Sequence, residues 1–357
     1  MLFEPFDNGR LHLQNRVVMA PLTRCRAVEA NTPNALMAEY YGQRAGAGLL
    51  ITEGTSPSPD GLGYARIPGL FNAAQRDGWR QVTTAAHAGG AKIFIQLMHC
   101  GRVSAAANLP AGARVVGPVA EVCPGEMYTD TAGMQPHAVP HALTEDEIPA
   151  LVAEYVKAAQ LAIEAGFDGI ELHAANGYLL EQFLNANVNT RTDGYGGSAA
   201  ARNRLVLEVA RACVAAIGAD RVGIRVSPYG VFNSTGAFEG VEEQYIALAR
   251  ELAEIGLVYL HLVDHSAMGA PEVPASFKAA LRSAFSGAFI ASGGFAAASA
   301  EAALQEGRAD LVAFGRPFIS NPDLVARMKG DLPLAEPDAN TFYTPGAAGY
   351  TDYPVAT

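Results

Sequence analysis

Residues 168–197, DGIELHAANGYLLEQFLNANVNTRTDGYGG, are the stretch from which we interpret the fold of this chain. A short apolar run at residues 169–172 follows Gly166, which ends a helical pattern, and such a run is typical of a buried strand. The strand ends at His173, and Asn176 and Tyr178 follow it closely. We therefore expect these three polar side chains to face a cleft at the end of the strand.

The three side chains have complementary hydrogen-bonding chemistry. His173 and Asn176 can each donate a hydrogen bond, so together they could hold one carbonyl oxygen. Tyr178 carries a phenol that is protonated at neutral pH, which makes it a candidate general acid. The alternative is that His173 only caps the strand and that Tyr178 is an ordinary half-buried aromatic residue.

Strands alternate with helical patterns on both sides of this stretch. We predict strands at residues 15–22, 49–54, 92–99, 169–173, 222–227, 258–263, 288–292 and 310–314. We predict helices at residues 34–45, 73–88, 144–164, 199–217, 242–255 and 297–306, a weaker helix through Phe277, and another that starts near Asn321. The strands are apolar on both faces, as in a parallel sheet that is covered on both sides.

Eight such units predict an α/β fold, an eight-stranded parallel βα (TIM) barrel. An open doubly wound sheet usually has a G-x-G-x-x-G turn after its first strand, and Ala20-Pro21-Leu22-Thr23 cannot form that turn. We predict a single domain over residues 1–357, with a small cap under the barrel floor at residues 1–15. An irregular insertion after strand three, at residues 101–143, is expected to lie over the barrel mouth.

Composition narrows the class of protein. The formal net charge of −11 argues against a nucleic-acid partner, and no apolar run is long enough to span a membrane. The N-terminal MLFEPFDNGR lacks the apolar segment of a secretory signal. The four cysteines show no metal-ligand spacing, so we expect no metal site and a reduced, cytoplasmic protein. The sequence does not decide between a monomer and a homodimer.

The loops after the last two predicted strands have the composition of a phosphate site. Gly293 and Gly294 follow strand seven, and Gly315 and Arg316 follow strand eight. Glycines let backbone N–H groups approach an anion, arginine matches phosphate geometry, and βα barrels often bind phosphate at this corner. The alternative is that the glycines only form tight turns.

Two predicted strands contain a polar residue that an apolar core would not favour. Gln96 lies in IFIQLM and Arg225 lies in GIRVS. A buried guanidinium is costly unless it meets an anion, which is either an unidentified carboxylate or a bound anionic heterocycle. A reduced flavin has both a charged edge and groups that suit an amide, and Thr23 could hydrogen-bond flavin O4.

These segments together resemble the old yellow enzyme family of FMN-dependent ene-reductases. The resemblance covers essentially the whole chain and rests on RVVMAPLTR, ITEGT, QLMHCGR, HAANGYLLEQFLN, NTRTDGYGGS, IRVSP, SGGF, FGRPFISNPDL and the tail NTFYTPGAAGYTDYP. It implies FMN at the C-terminal mouth of a βα barrel. It also implies a ping-pong cycle in which NADPH or NADH reduces FMN, and an activated alkene (an enone, enal, nitroalkene or maleimide) then takes hydride from flavin N5.

The resemblance also implies a role for each site residue. His173 and Asn176 would hold the carbonyl or nitro oxygen of the alkene, and Tyr178 would protonate its α-carbon. The implied FMN-binding residues are Pro21, Leu22, Thr23, Gly54, Gln96, Arg225, Gly293, Gly294, Gly315 and Arg316. The implied substrate-pocket residues are Tyr64, Met98 and Tyr343.

Some properties stay open at this point. Met98 stands where many relatives have tryptophan, which leaves the stereochemistry of the product undetermined. The choice between NADPH and NADH and the physiological alkene are not readable from the residues. One alternative is a phosphate-binding aldolase or isomerase barrel, although Lys92 is at the wrong end of its strand for a Schiff base. The other is a flavin- or small-ligand-binding protein without turnover.

Overall fold

Eight parallel strands close into a barrel in the computed structural model, which describes residues 1–356. The strands are β1 (Val17–Met19), β2 (Leu49–Ile51), β3 (Lys92–Leu97), β4 (Gly169–Ala174), β5 (Val222–Val226), β6 (Tyr259–Val263), β7 (Ala288–Ser292) and β8 (Leu311–Phe314). Each strand pairs with the next along the chain, and β8 pairs with β1. The predicted TIM barrel is confirmed, although several strands are shorter than predicted, β1 most of all.

Helices cover the outside of the barrel. They are α1 (Ala35–Gln43), α2 (Ala73–Ala88), α3 (Ile148–Glu164), α4 (Leu179–Leu184), α5 (Ala199–Ile217), α6 (Val241–Ile255), α7 (Ala275–Ala284), α8 (Ala297–Gln305), α9 (Arg316–Ser320) and α10 (Leu324–Lys329). Side chains cap several of them, since Asn34, Asn72 and Ser198 each accept a backbone N–H three residues on. Thr144 and Glu147 form a capping box ahead of α3.

Large rings and glycines alternate in the lower part of the barrel interior. The Phe94 ring lies against Gly169, where a Cβ would be 2.5 Å from it, and the Tyr259 ring lies against Gly223 at 2.3 Å. The rings of Phe94 and Tyr259 are 5.5 Å apart. Because these rings fill the interior, the barrel is closed below and can hold a ligand only at its C-terminal mouth.

The N-terminal segment closes the opposite end of the barrel. Strands Phe6–Asp7 and His12–Leu13 pair as an antiparallel hairpin, and Phe6, Leu11 and Leu13 join the apolar cluster of the barrel interior. The predicted N-terminal cap is therefore confirmed. The assignment of all 357 residues to one domain stays a prediction.

Three local features differ from the predictions in detail. The insertion at residues 101–143 is not wholly irregular, since strands Glu126–Thr129 and Gly133–Pro136 form a hairpin with alternating burial in the first strand. The helix expected through Phe277 begins only at Ala275, after the loop from β6. The helix predicted to start near Asn321 is α10, which begins at Leu324, and the short helix α9 that precedes Asn321 was not predicted.

None of the helices in the described part of the chain combines the length and the apolar character needed to cross a bilayer.

Candidate active site

A cleft of about 680 Å³ opens at the C-terminal ends of the barrel strands. Twelve of the predicted site residues line it: Pro21, Leu22, Thr23, Tyr64, Asn176, Tyr178, Arg225, Gly293, Gly294, Gly315, Arg316 and Tyr343. The other four, Gly54, Gln96, Met98 and His173, are buried within the neighbouring strand ends rather than at the cleft surface. A larger cavity of about 1160 Å³ lies between α7 and α8, and Gly293 is the one predicted residue that borders it.

The predicted catalytic residues lie together after β4. His173 is the fifth residue of this strand, and its ring centroid is 5.0 Å from that of Tyr178. The His173 Nδ1 atom has no hydrogen-bond partner within residues 1–356, and burial lowers the pKa of the ring well below its usual range. His173 is therefore a neutral imidazole, which can donate from one nitrogen.

Tyr178 is a protonated phenol in this environment. Burial raises its pKa above the usual range, and its hydroxyl is 3.1 Å from the hydroxyl of Tyr64. The two rings meet edge to face with centroids 6.1 Å apart. Because the phenolate is disfavoured, Tyr178 keeps its proton over the physiological pH range and can transfer it to a bound group.

A buried carboxyl group holds the turn between His173 and Tyr178. Glu181 accepts a hydrogen bond from the backbone N–H of Gly177 at 2.6 Å and another from the hydroxyl of Ser227 at 3.0 Å. The Ser227 hydroxyl in turn accepts the backbone N–H of Asn176 at 2.9 Å. Asn176 has a φ of +59°, a left-handed conformation that asparagine tolerates better than most residues. The turn that presents Asn176 and Tyr178 is therefore fixed from below.

Gln96 and Arg225 belong to a polar layer inside the upper barrel. Glu171 is its centre: Gln96 Nε2 donates to one carboxyl oxygen at 2.8 Å, and Tyr259 and His261 contact the other at 3.1 and 2.9 Å. Inward-facing residues of adjacent strands meet here because Glu171 is in register with Gln96, and Arg225 with His261.

Arg225 does not share the hydrogen bonds of this layer. It forms no ion pair with a carboxylate of residues 1–356, and its buried Nε has no hydrogen-bond partner there. Burial lowers the pKa of the guanidinium, and the charge of Glu171 partly offsets that effect. A buried guanidinium that borders a cleft without a partner fits an anionic ligand edge, as the negatively charged edge of a flavin would supply.

The loops after β7 and β8 form the glycine-rich corner of the cleft. Gly293 has a φ of +138°, and a Cβ there would lie 2.2 Å from the backbone oxygen of Asp264. Gly294 has a φ of +67°, and Gly315 precedes the exposed Arg316, where α9 begins. Backbone without side chains beside a guanidinium fits a phosphate group, so the residues present suit the whole of FMN.

Gly54 and Met98 pack against one another behind the cleft. A Cβ on Gly54 would lie 2.4 Å from the sulfur of Met98, so no larger residue fits beside it. Met98 is only 1% exposed. Met98 therefore does not reach the cleft surface, where the predicted contact with substrate would be made. Its flexible thioether instead fills the space beside Gly54.

The C-terminal residues 341–350, which we call the strap, form one wall of the cleft. Tyr343 in the strap is 59% exposed and lines the cleft, as does Phe342. The buried Arg26 guanidinium donates to the backbone oxygens of Arg24, Thr341, Phe342, Gly346 and Ala348. Arg24 donates to the backbone oxygen of Gly349 at 2.7 Å. Two buried arginines thus fix the path of the strap through its backbone.

Several residues that line or adjoin the cleft were not predicted from the sequence. His265 follows β6 and contacts Asn176, Phe232 follows β5, and Phe342 precedes the predicted Tyr343. His265 comes two residues after the strand Tyr259–Val263, so the rule that singled out His173 could have found it. Phe232 carries no comparable signal, because an aromatic residue in a loop is common in any fold.

The sequence is similar to those of known flavin-dependent oxidoreductases. A sequence model of the NADH:flavin oxidoreductase / NADH oxidase family matches residues 1–335. The chain is 42% identical to 12-oxophytodienoate reductase 7 of Oryza sativa subsp. japonica, over 99% of this chain and 94% of that protein. It is 40% identical to a probable flavin mononucleotide-dependent alkene reductase of Leishmania infantum, over 99% and 97% of the two chains.

Solved structures show the same likeness. Morphinone reductase superposes with a TM-score of 0.95 at 44% identity, over 99% of this chain and 96% of that one. The old yellow enzyme homologue of Zymomonas mobilis superposes with a TM-score of 0.94 at 39% identity, over 99% of both chains. The chain therefore belongs to the NADH:flavin oxidoreductase / NADH oxidase family, and it is an FMN-dependent oxidoreductase of the old yellow enzyme type.

Proposed function

We propose that this protein reduces the C=C bond of enones, enals, nitroalkenes and maleimides with NADPH or NADH in a ping-pong cycle. The observation that carries the proposal is that a protonated Tyr178 and the donor Asn176 border the same cleft as Arg225 and the glycine-rich corner. Relatives named as alkene reductases and oxophytodienoate reductases support this substrate class.

FMN would be held along the cleft by this chain's own groups. Arg225 and Gln96 would meet the pyrimidine edge, Thr23 would donate to the carbonyl at O4, and Arg316 would meet the phosphate together with the glycine backbone. Pro21, Leu22 and Gly54 would line the ring system. Bound FMN supplies hydride chemistry, accepting a hydride from the nicotinamide donor and delivering one to the alkene.

The catalytic residues act on the alkene. His173 and Asn176 donate hydrogen bonds to its carbonyl or nitro oxygen, which draws electron density from the β-carbon and favours hydride addition there. Tyr178 gives its proton to the α-carbon. The Tyr178 phenolate then takes a proton from solvent in the cleft, and burial, which disfavours the phenolate, favours this return to the neutral form. The exposed side chain of Tyr343 and the hydroxyl of Tyr64 would contact the rest of the substrate, with Met98 behind them.

The proposal is tested by the colour of the flavin. Under argon, NADPH or NADH should bleach the yellow protein, and cyclohexenone or N-methylmaleimide should restore the absorbance. The faster of the two nucleotides identifies the preferred donor. A flavin that neither alkene reoxidises would contradict the proposal and favour a binding protein without turnover.

Replacing Tyr178 by Phe tests the general acid. We expect the rate of reoxidation by cyclohexenone to fall by roughly 10²–10⁴-fold, while the rate of bleaching is unchanged, because general-acid catalysis typically contributes that factor. Tyr229→Phe is the matched control, since Tyr229 is not among the residues that line the cleft and donates to Glu242 at 2.7 Å. An unchanged reoxidation rate in Tyr178→Phe would show that another group supplies the proton.

The geometry does not favour the alternative of an aldolase or isomerase that uses a Schiff-base lysine. Lys92 opens β3 at the end of the barrel opposite the cleft, and its Nζ pairs with Asp168 at 2.9 Å. It is thus in no position to form a Schiff base with a ligand in the cleft.

We also propose a cytoplasmic location, because the four free and buried cysteines fit a reducing compartment, and subcellular fractionation tests this. We propose that the protein is a monomer or a homodimer, which analytical sedimentation tests.

A further inference from the structure

His265 makes a direct hydrogen bond to the side chain of Asn176. Its Nε2 is 2.7 Å from Asn176 Oδ1, and the two residues are 89 positions apart in the chain. An amide oxygen can only accept a hydrogen bond, so the Nε2 atom must carry the proton. This leaves the amide nitrogen of Asn176, Nδ2, free to donate elsewhere.

The imidazole of His265 is held by contacts of the ring and by the anchoring of its loop. It is 9% exposed and meets the ring of Phe232 edge to face, with centroids 4.7 Å apart. The preceding residue, Asp264, anchors the loop by accepting the backbone N–H of Ser266 at 2.9 Å and pairing with Lys278 at 2.6 Å. Burial and the nearby Arg225 lower the pKa of His265 to about 4, against the opposite effect of Asp264, so the ring is neutral near pH 7.

The backbone of Asn176 is equally fixed, so only its side chain can turn. Its N–H donates to Ser227 at 2.9 Å, and its backbone oxygen accepts from Asn233 Nδ2 at 2.7 Å. The two ends of a carboxamide have nearly the same shape but opposite hydrogen-bonding character. A donor beside Oδ1 therefore decides which end faces the cleft.

We propose that His265 is a positioning residue that turns the Asn176 carboxamide so that Nδ2, and not Oδ1, faces the cleft. The inference rests on the proposed function, in which Asn176 donates to the oxygen of the alkene. Without the donor on His265, the reversed amide places an oxygen opposite the substrate oxygen, and two acceptors repel one another. His265 acts through Asn176 and does not itself touch the reacting atoms.

The test uses the FMN-loaded protein and cyclohexanone, a saturated ketone that has no C=C bond to reduce. Its dissociation constant is measured from the change in flavin absorbance. His265→Phe keeps an aromatic ring against Phe232 but has no donor, and we expect cyclohexanone to bind about five- to tenfold more weakly, the loss typical of one hydrogen bond. His265→Gln restores an N–H at similar reach and should bind within about twofold of the native protein, a difference smaller than one hydrogen bond.

A double-mutant cycle with Asn176→Ala separates positioning from a general structural effect. In the Asn176→Ala background, His265→Phe should cause no further loss of cyclohexanone affinity, because there is no amide left to orient. Native affinity in His265→Phe, or an undiminished loss in the double variant, overturns the inference. Native affinity for cyclohexanone in Asn176→Ala would instead overturn the proposed role of Asn176. The proposed function has its own separate test, the reoxidation of the native flavin by cyclohexenone.

A measurement on the native protein tests the same hydrogen bond directly. A long-range ¹H–¹⁵N correlation spectrum of histidine-labelled protein reports which ring nitrogen carries the proton, and His265→Gln assigns the signal. The neutral Nε2–H tautomer is expected at pH 7. The Nδ1–H tautomer would overturn the inference, since Nε2 would then have no proton to donate to Asn176.

Discussion

Glu181 lies below the turn that carries Asn176 and Tyr178, and its replacement by Gln should change how stability depends on pH. Burial raises the pKa of this carboxyl group from its ordinary value of 4.5 to about 8, even though Gly177 and Ser227 donate hydrogen bonds to it. Between these two pH values the folded protein binds a proton that the unfolded chain has released. The free energy of unfolding therefore falls as pH rises from 4.5 to 8.

The magnitude follows from the two pKa values. Their difference, 8 minus 4.5, is 3.5, and each pKa unit corresponds to about 1.36 kcal/mol, so the full change is on the order of 5 kcal/mol. This contribution is present in full below pH 4.5 and is lost as pH rises through 8. Gln has a similar shape and no titrating proton, so Glu181→Gln should lack this contribution to the pH profile.

Urea unfolding at several pH values between 5 and 8.5, followed by the fluorescence of the single tryptophan, Trp79, measures the effect. The native protein should lose stability relative to Glu181→Gln by several kcal/mol across this interval, in line with the linkage relation. Glu53 is also buried, and burial raises its pKa to about 7, but it is present in both proteins and cancels in the difference. Parallel pH profiles for the two proteins would refute the reasoning.

Two further predictions concern the residues that fit FMN. Arg225→Gln should weaken FMN binding by roughly ten- to hundredfold, since a charge-assisted hydrogen bond contributes about 1.5–3 kcal/mol, and Arg225→Lys should lose less affinity. Equilibrium dialysis of the apoprotein with FMN measures both affinities. Native affinity in Arg225→Gln would count against the proposed site. Gly293→Ala should lower the free energy of unfolding by about 2–3 kcal/mol or more, because its Cβ would meet the Asp264 backbone oxygen at 2.2 Å in a left-handed conformation. Gly315→Ala is its matched control, with nothing nearer than 3.7 Å, and equal urea midpoints for the two variants would show that Gly293 is not constrained.

The barrel could be predicted because its signal is local. Each strand is a brief apolar run, and most helices between strands carry their own periodicity, so the alternation was readable in the chain order. The predicted ends of the strands were less accurate. Residues 20–22 and 52–54 continue an apolar or mixed pattern, although the hydrogen-bonded strands end before them. Helix α4 was missed because its six residues form less than two turns, which is too short to reveal a period.

The partners of the site residues were harder to predict than the residues themselves. His173, Asn176 and Tyr178 come from one segment, but the groups that orient them do not. Ser227 and His265 follow other strands, and they meet the turn only because all strands of the barrel end at the same face. Glu181 is in the same segment, yet nothing in the residue pattern shows that it is buried. The candidate reacting groups could therefore be predicted from the sequence, whereas most of the side chains that orient them could not.

The strap at residues 341–350 is held by Arg24 and Arg26 almost entirely through main-chain oxygens, which every amino acid possesses. Its route across the protein is thus nearly independent of which side chains it carries. We therefore expect that position 343 can be varied, by natural drift or in a saturation library, with little penalty for folding. Because Tyr343 borders the cleft, such changes are expected to alter the proposed substrate range. Arg24 and Arg26 should not tolerate substitution in the same way, because they hold the strap. We therefore expect substitutions that change substrate preference to occur in the strap and not at these two arginines.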